Sequence, residues 1–483
     1  MMTDLADRPI RADGHNDEPT LKELFHFSHF SRYYRLYVPA AVLIGAACGL
    51  FMVAFQILID AYTFLFSMTP AFLAPLAGGA LSALFILLGR REIQGSGISK
   101  AIEMTHRPSS LSPGTTLTKL VATSVSIGSG NPVGREGPAV LIGAGVGSSI
   151  GRKLGFHEDS HLRVFLMLGS AAATAGIYKA PLGGALFATE APYKSDARLG
   201  YFVPTVIAAL TSFAVFSGLY PFISGHSFGP LFVFEAAFEF QVTSIPLLLV
   251  FGAVAGLVSI LFAVVLMSVR RFFVARFADW MDPLLGSALV CLVLFLEAFF
   301  IFDSNLTIAG MGYDVINYLA THPQPVILLS VLLFGKLFAS SFVVAGKVSG
   351  GVLASSLFVG AMLGSIFGEV FYPSNVPAFM VLGMGAVLAA TTNTPVATII
   401  MMLEMSLSFD LVIPLVICVS LSYLVSGGTS LYEGQKVCRD DEARGYYSPF
   451  NILPEGRLGY THVSEGVSNE SANVQNHEPD GSG

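Results

Sequence analysis

The 483-residue chain is 53% hydrophobic and only 12% charged, with a formal net charge of −7. Together with a mean hydropathy of +0.67, this composition excludes a string of soluble domains and describes a polytopic membrane protein. Nothing in its charge implies a nucleic-acid partner.

Residues 1 to 36 are polar and lack a signal-peptide pattern, so they read as a cytoplasmic segment ahead of a retained first span. Apolar runs follow at 38 to 66, 71 to 89, 203 to 222, 246 to 269, 283 to 302 and 326 to 344. Each approaches or exceeds the roughly 20 residues that cross the hydrocarbon core as a helix. Arg32 and Arg35 precede the first run, Arg90 and Arg91 close the second, and Arg270, Arg271 and Arg276 follow the fourth. The positive-inside rule places these groups and the N-terminus in the cytoplasm.

Between the runs, glycine concentrates at 95 to 97, 128 to 151, 169 to 184 and 346 to 368. Glycine and proline at membrane depth predict short, broken helices that protein buries or water reaches, which is where transporters build their sites. An internal repeat points the same way. "GSAAATAGIYKAPLGGALFATE" (169 to 190) aligns without gaps on "GMGAVLAATTNTPVATIIMMLE" (383 to 404), pairing Gly169 with Gly383, Pro181 with Pro395 and Glu190 with Glu404. "GREGPAVLIGAGVG" (134 to 147) aligns likewise on "GVLASSLFVGAMLG" (351 to 364). The chain therefore divides into halves of about 37 to 230 and 240 to 447 within a membrane domain of 37 to 447. Residues 448 to 483 are polar and poor in apolar groups, and are expected to form a disordered cytoplasmic tail.

Cys48, Cys291 and Cys418 lie in apolar segments and Cys438 in a polar one, which fits neither a disulfide framework nor a metal site. The ten histidines sit in polar tails or at segment ends, so an intramembrane zinc site or histidine relay is not expected.

Three glycine-rich helix starts carry candidate chemistry: "GSGIS" (95 to 99), "GREGP" (134 to 138) and "GGVLAS" (350 to 355). Free amides and the positive end of the helix dipole make an anion site without a full charge. Partial charges suit an ion that has to leave again. Ser96 adds a hydroxyl, whereas Gly143, Gly147 and Gly151 have the four-residue spacing of helix packing. Arg135 and Glu136 are the only charged residues between Leu120 and Gly151. Adjacent positions on a helix point in different directions, so they are poorly placed to neutralise each other.

"GSGIS", "GREGP", "GGVLAS" and the late "GGTSLY" (427 to 432) resemble, in order, the four signature regions of the CLC family of chloride channels and chloride/proton antiporters. The resemblance covers residues 37 to 447 and implies an all-α membrane fold of two inverted repeats with many broken, tilted helices. It further implies a homodimer with one pathway per subunit, set in a bacterial inner membrane with both termini cytoplasmic. Chloride and protons are the implied substrates, with no cofactor, no metal and no enzymatic activity.

Residue by residue, Ser96, Ile98, Val352, Leu353 and Tyr432 match the chloride-binding groups, and Glu136 matches the gating, proton-transferring glutamate. Gly134, Arg135 and Gly137 complete that signature, and Lys119 stands where the family often has a buried lysine. Ser99 replaces a usual proline, and Leu353 and Ser355 stand where "GxFxP" is usual. Ala191 occupies the position of the internal proton-accepting glutamate of many antiporters, which leaves Glu190 as the candidate for an internal proton path. Exchange is favoured, a passive chloride channel is the alternative, and a fluoride-selective relative or an intramembrane hydrolase using Ser349 ranks below both. Glu190, Glu404, Glu297, Lys119 and Lys336 have simpler readings as capping, pairing or charge-balancing groups.

Overall fold

The computed structural model describes residues 27 to 225, 229 to 233, 236 and 238 to 438, with side chains from Arg35 onward apart from Leu199. The expected N-terminal segment up to residue 26 and the tail from 448 lie outside the described residues. The described residues form sixteen α-helices joined by short 3-10 turns, in two sets of eight.

The first set is α1 (Phe27–Phe66), α2 (Pro75–Leu87), α3 (Ile98–His106), α4 (Pro113–Gly128), α5 (Glu136–Lys153), α6 (Asp159–Tyr178), α7 (Pro181–Glu190) and α8 (Phe202–Ser224). The second is α9 (Ile245–Arg276), α10 (Asp282–Glu297), α11 (Tyr313–Leu319), α12 (Val326–Ala345), α13 (Leu353–Phe371), α14 (Val376–Thr392), α15 (Pro395–Ser406) and α16 (Val412–Ser426). The sets match one to one: α5 packs on α6 as α13 packs on α14, and α1 packs on α8 as α9 packs on α16. The repeat read from two short alignments thus extends over the whole fold.

Local chemistry sets the helix ends. Ser112 accepts the Thr115 amide hydrogen at 3.1 Å with Pro113 opening α4, and Asn375 does the same for Ala378 at the start of α14. Lys179 and Asn393 take left-handed conformations with φ 56° and end α6 and α14, and a proline two residues later opens the next helix.

The central helices carry the glycines. A Cβ at Gly143 would lie 2.2 Å from the Gly169 carbonyl oxygen, and one at Gly360 would lie 2.3 Å from that of Gly383. The α5–α6 and α13–α14 crossings therefore run backbone against backbone.

Two expectations need correction. The runs at 71 to 89 and 283 to 302 yield helices of only 13 and 16 residues, α2 and α10. At 1.5 Å per residue these rise about 20 and 24 Å, short of a roughly 30 Å core. Pro75 opens α2 late, and α10 ends at Glu297, whose carboxylate bonds to the chain ahead. Conversely, while α3 and α7 are short, at 9 and 10 residues, two of the glycine-rich runs, 128 to 151 and 346 to 368, hold long helices, α5 of 18 residues and α13 of 19. The break lies at their N-termini, not within them.

Gly169→Ala is expected to destabilise the protein by about 1–3 kcal/mol through overpacking, read as a lower melting temperature in detergent. Gly218→Ala, with open space around its Cβ position, is the control expected to melt like the parent. Equal melting of the two variants would contradict the close crossing.

Candidate functional site

The two halves meet where their broken helices begin. Gly134 and Gly351 exchange backbone hydrogen bonds of 2.7 and 2.8 Å, a single antiparallel bridge that joins the starts of α5 and α13. Glycine is required here. A Cβ at Gly351 would lie 3.0 Å from the Gly137 nitrogen, and one at Gly134 would lie 2.7 Å from the Ala354 Cβ and 2.1 Å from the Glu136 Oε2.

That last distance locates the carboxylate. Glu136 is 1% exposed and folds back over the start of its own helix. Its Oε1 accepts a hydrogen bond from the Tyr313 hydroxyl, and its Oε2 takes none from the described residues. Arg135 is not its close partner: the guanidinium Nε stands 3.9 Å from Oε1. The other guanidinium nitrogens serve Gln56 of α1 and the Ile177 carbonyl at the end of α6. A cation is thus held beside the site by groups that keep it from collapsing onto the acid.

The start of α3 approaches α5 closely, since a Cβ at Gly137 would lie 3.0 Å from the Ser96 carbonyl oxygen. The Ser96 Oγ accepts the Ile98 amide hydrogen at 3.3 Å, which satisfies that amide and leaves the hydroxyl hydrogen free to donate elsewhere. Gly97, with φ 81°, makes the turn. Lys119, fully buried in α4, fixes the loop by donating from Nζ to the carbonyls of Ile93 and Gly95, both at 2.6 Å. The lysine is therefore a strut for this loop.

Val352 caps α13 and Leu353 opens it, so their amides precede the first intrahelical bonds. Tyr432 lies on the C-terminal strap, residues 427 to 438, which follows α16. It is buried, and its hydroxyl makes no hydrogen bond with the described residues. The strap is held by Leu431 donating to the Thr391 carbonyl at 2.9 Å and by Gln435 donating to the carbonyls of Ala191 and Thr392, each at 2.8 Å. The two serine departures have roles here. The Ser99 Oγ accepts the Glu433 amide hydrogen at 3.1 Å, and Ser355 donates to the Pro132 carbonyl at 3.1 Å.

Below Ser96 a cavity of about 260 Å³ opens to solvent. Arg91, Lys100, Arg270 and Lys347 line it with Glu92 and Glu433, and each of the four cations is ion-paired, to Asp279, Glu103, Glu433 and Asp282 in turn. Lys347 also bonds Asp279 at 2.7 Å and holds that carboxyl below its usual range.

Glu190 is elsewhere. Its carboxylate accepts the amide hydrogens of Val396 and Ala397, at 3.2 and 2.7 Å, at the start of α15. Glu404 of α15 reciprocates on Leu182 and Gly183, at 3.0 and 2.7 Å, at the start of α7. The matched pair stitches the repeats together through each other's helix termini. Sequence reasoning missed two phenols: Tyr313, which bonds Glu136, and Tyr178, whose buried hydroxyl has no partner among the described residues. A "GMG" at 310 to 312 answering "GSG" at 95 to 97 was the available signal for the first.

A family model for the voltage gated chloride channel matches residues 78–427. The chain belongs to this family. A ClcB-like chloride channel protein of Ralstonia nicotianae is 28% identical over 375 residues, covering 74% of this chain and 82% of its own. The fold matches the crystal structure of a CLC-type fluoride/proton antiporter with a TM-score of 0.72 at 21% identity, covering 86% of this chain and 99% of that one. It also matches a slow cyanobacterial Cl−/H+ antiporter with a TM-score of 0.69 at 20% identity, covering 81% and 94%. Membership in the CLC family makes the chain a multi-pass membrane transport protein and not an enzyme.

Because Glu190 caps a helix, Glu190→Gln is expected to lower thermal stability by about 1–3 kcal/mol, as is Glu404→Gln. A Glu190→Gln protein that melts like the parent while losing transport would contradict the capping role.

Proposed function

We propose that the protein exchanges chloride for protons across a bacterial inner membrane, with Glu136 as both gate and proton carrier. One observation carries this reading: a buried carboxylate folded over the amide-rich start of α5, with one oxygen left unpaired beside Gly134. A carboxylate and a halide carry the same charge and compete for the same field of amides and helix dipole. Protonation cancels that charge, so the side chain leaves, the anion enters, and the proton travels with the side chain.

Chloride is assigned to the space between the Ser96 and Tyr432 hydroxyls and the amides of Val352 and Leu353. The hydroxyl of Ser96, freed by the geometry of the Ile98 amide, supports a chloride preference over the fluoride of the antiporter whose fold it shares. The two arginines and two lysines around the cavity mark the cytoplasmic mouth by the positive-inside rule. Both termini are assigned to that side, and the resemblance supports a homodimer with one pathway in each subunit.

A second reading, a passive gated channel, rests on Ala191 and Glu190. The first offers no titratable group and the second is committed to α15, which leaves no acid at this position to pass the proton inward. Proteoliposomes decide between them. A chloride gradient is expected to drive protons uphill, and a wild-type protein that moves chloride alone sinks exchange and leaves the channel.

Glu136→Gln is expected to abolish proton movement while chloride flux persists; pH-dependent exchange in that variant refutes the role given to Glu136. Ser96→Ala and Tyr432→Phe are expected to weaken chloride binding in calorimetry by about tenfold each, for the loss of one hydrogen bond to an anion. Unchanged binding removes them from the site.

A further inference from the structure

The second repeat contains its own version of the "GSGIS" loop. Gly310 and Gly312 have φ of 59° and 86°, against 56° and 81° for Gly95 and Gly97. Lys336, fully buried in α12, donates to the carbonyls of Ile308 and Gly310 at 2.8 and 2.6 Å, as Lys119 does to Ile93 and Gly95. The inverted repeat thus brings two equivalent loops to the same centre, one ending in Ser96 and Ile98 and the other in Met311 and Tyr313.

The second loop is more firmly anchored. Glu297, at the end of α10, accepts the Ile308 amide hydrogen at 2.8 Å, so Ile308 is gripped at its carbonyl by Lys336 and at its amide by an acid. This gives the intramembrane carboxylate of Glu297 a structural role. The ring of Tyr313 is fixed between Phe232, edge-on at 5.6 Å, and the Arg135 guanidinium at 5.9 Å. From this rigid base the phenol donates to the Glu136 carboxylate.

We propose that Tyr313 is a latch: a positioning residue that holds the ionised Glu136 side chain in the closed position and releases it on protonation. The proposal rests on the reading of Glu136 as the gate. The charged and titratable groups facing the carboxylate are Arg135 on its own helix, Tyr313 from α11, Tyr178 from α6 and Tyr432 from the strap. Lys179 lies behind Arg135. Of the three phenols, only Tyr313 donates to Glu136; the hydroxyls of Tyr178 and Tyr432 have no hydrogen-bond partner among the described residues.

A neutral donor on one carboxylate oxygen favours the charged, seated form. Removing it makes protonation easier, so the gate opens in more alkaline solution. Tyr313→Phe keeps the ring and its packing and removes only the donor.

The test measures chloride efflux from proteoliposomes across a pH series in the parent, Tyr313→Phe, Glu136→Gln and the double variant, each first checked for monodispersity. The midpoint of acid activation is expected to move up by about one pH unit in Tyr313→Phe, the worth of one hydrogen bond to a charged group. Adding Tyr313→Phe to Glu136→Gln is expected to change efflux less than about twofold, because the latch has nothing left to hold.

An unmoved midpoint in Tyr313→Phe, with pH dependence lost in Glu136→Gln, overturns the latch and leaves the gate standing. A change in the double variant as large as in the single one also overturns it, since Tyr313 would then act without Glu136. Full pH dependence in Glu136→Gln overturns the gate, and the latch with it.

Discussion

The structure turns on one contact, the backbone bridge between Gly134 and Gly351. It brings the starts of two buried helices, one from each half of the chain, to the same depth with their free amides converging. Such amides in a membrane have to be satisfied by protein, water or ligand. Here they create a field of partial positive charge with no lysine at its centre. The two buried lysines stand back from it, each spent on two carbonyls of a loop.

The pseudo-symmetry explains why so many charged groups are affordable in the membrane. Lys119 answers Lys336, and Glu190 answers Glu404, each seated on backbone groups rather than on a counter-ion. A buried charge that meets fixed peptide dipoles avoids much of the desolvation penalty of an isolated one. Glu136 is the exception. Its counterpart in the second repeat is Leu353, and one of its oxygens is unsatisfied. Symmetry is broken at the residue to which gating is assigned.

Much of this was legible in the residues. The glycine clusters marked where helices begin, the two ungapped alignments revealed the halves, and the fold brings the segments of Ser96, Glu136, Val352 and Leu353 together at the starts of α3, α5 and α13. Hydropathy overstated α2 and α10, because an apolar run does not distinguish a full crossing from a shorter helix. Tyr313 was invisible because its loop shares only the glycines of its counterpart, and its role depends on an inverted repeat bringing residue 313 to residue 136. The reciprocal seats of Glu190 and Glu404 were hidden for the same reason: the alignment paired them, but only the fold shows each reaching the other's helix.

The account's central claim is that a carboxylate and a halide compete for one place at the start of α5. Bromide is a halide that diffraction locates by its anomalous signal, so crystals of the parent and Glu136→Gln soaked in bromide test it directly. The claim predicts bromide between Ser96 and Tyr432 in both, and an additional bromide beside Gly134 only in the variant, where the carboxylate's charge is gone. Identical bromide positions in the two crystals, with the residue 136 side chain unmoved, would contradict it.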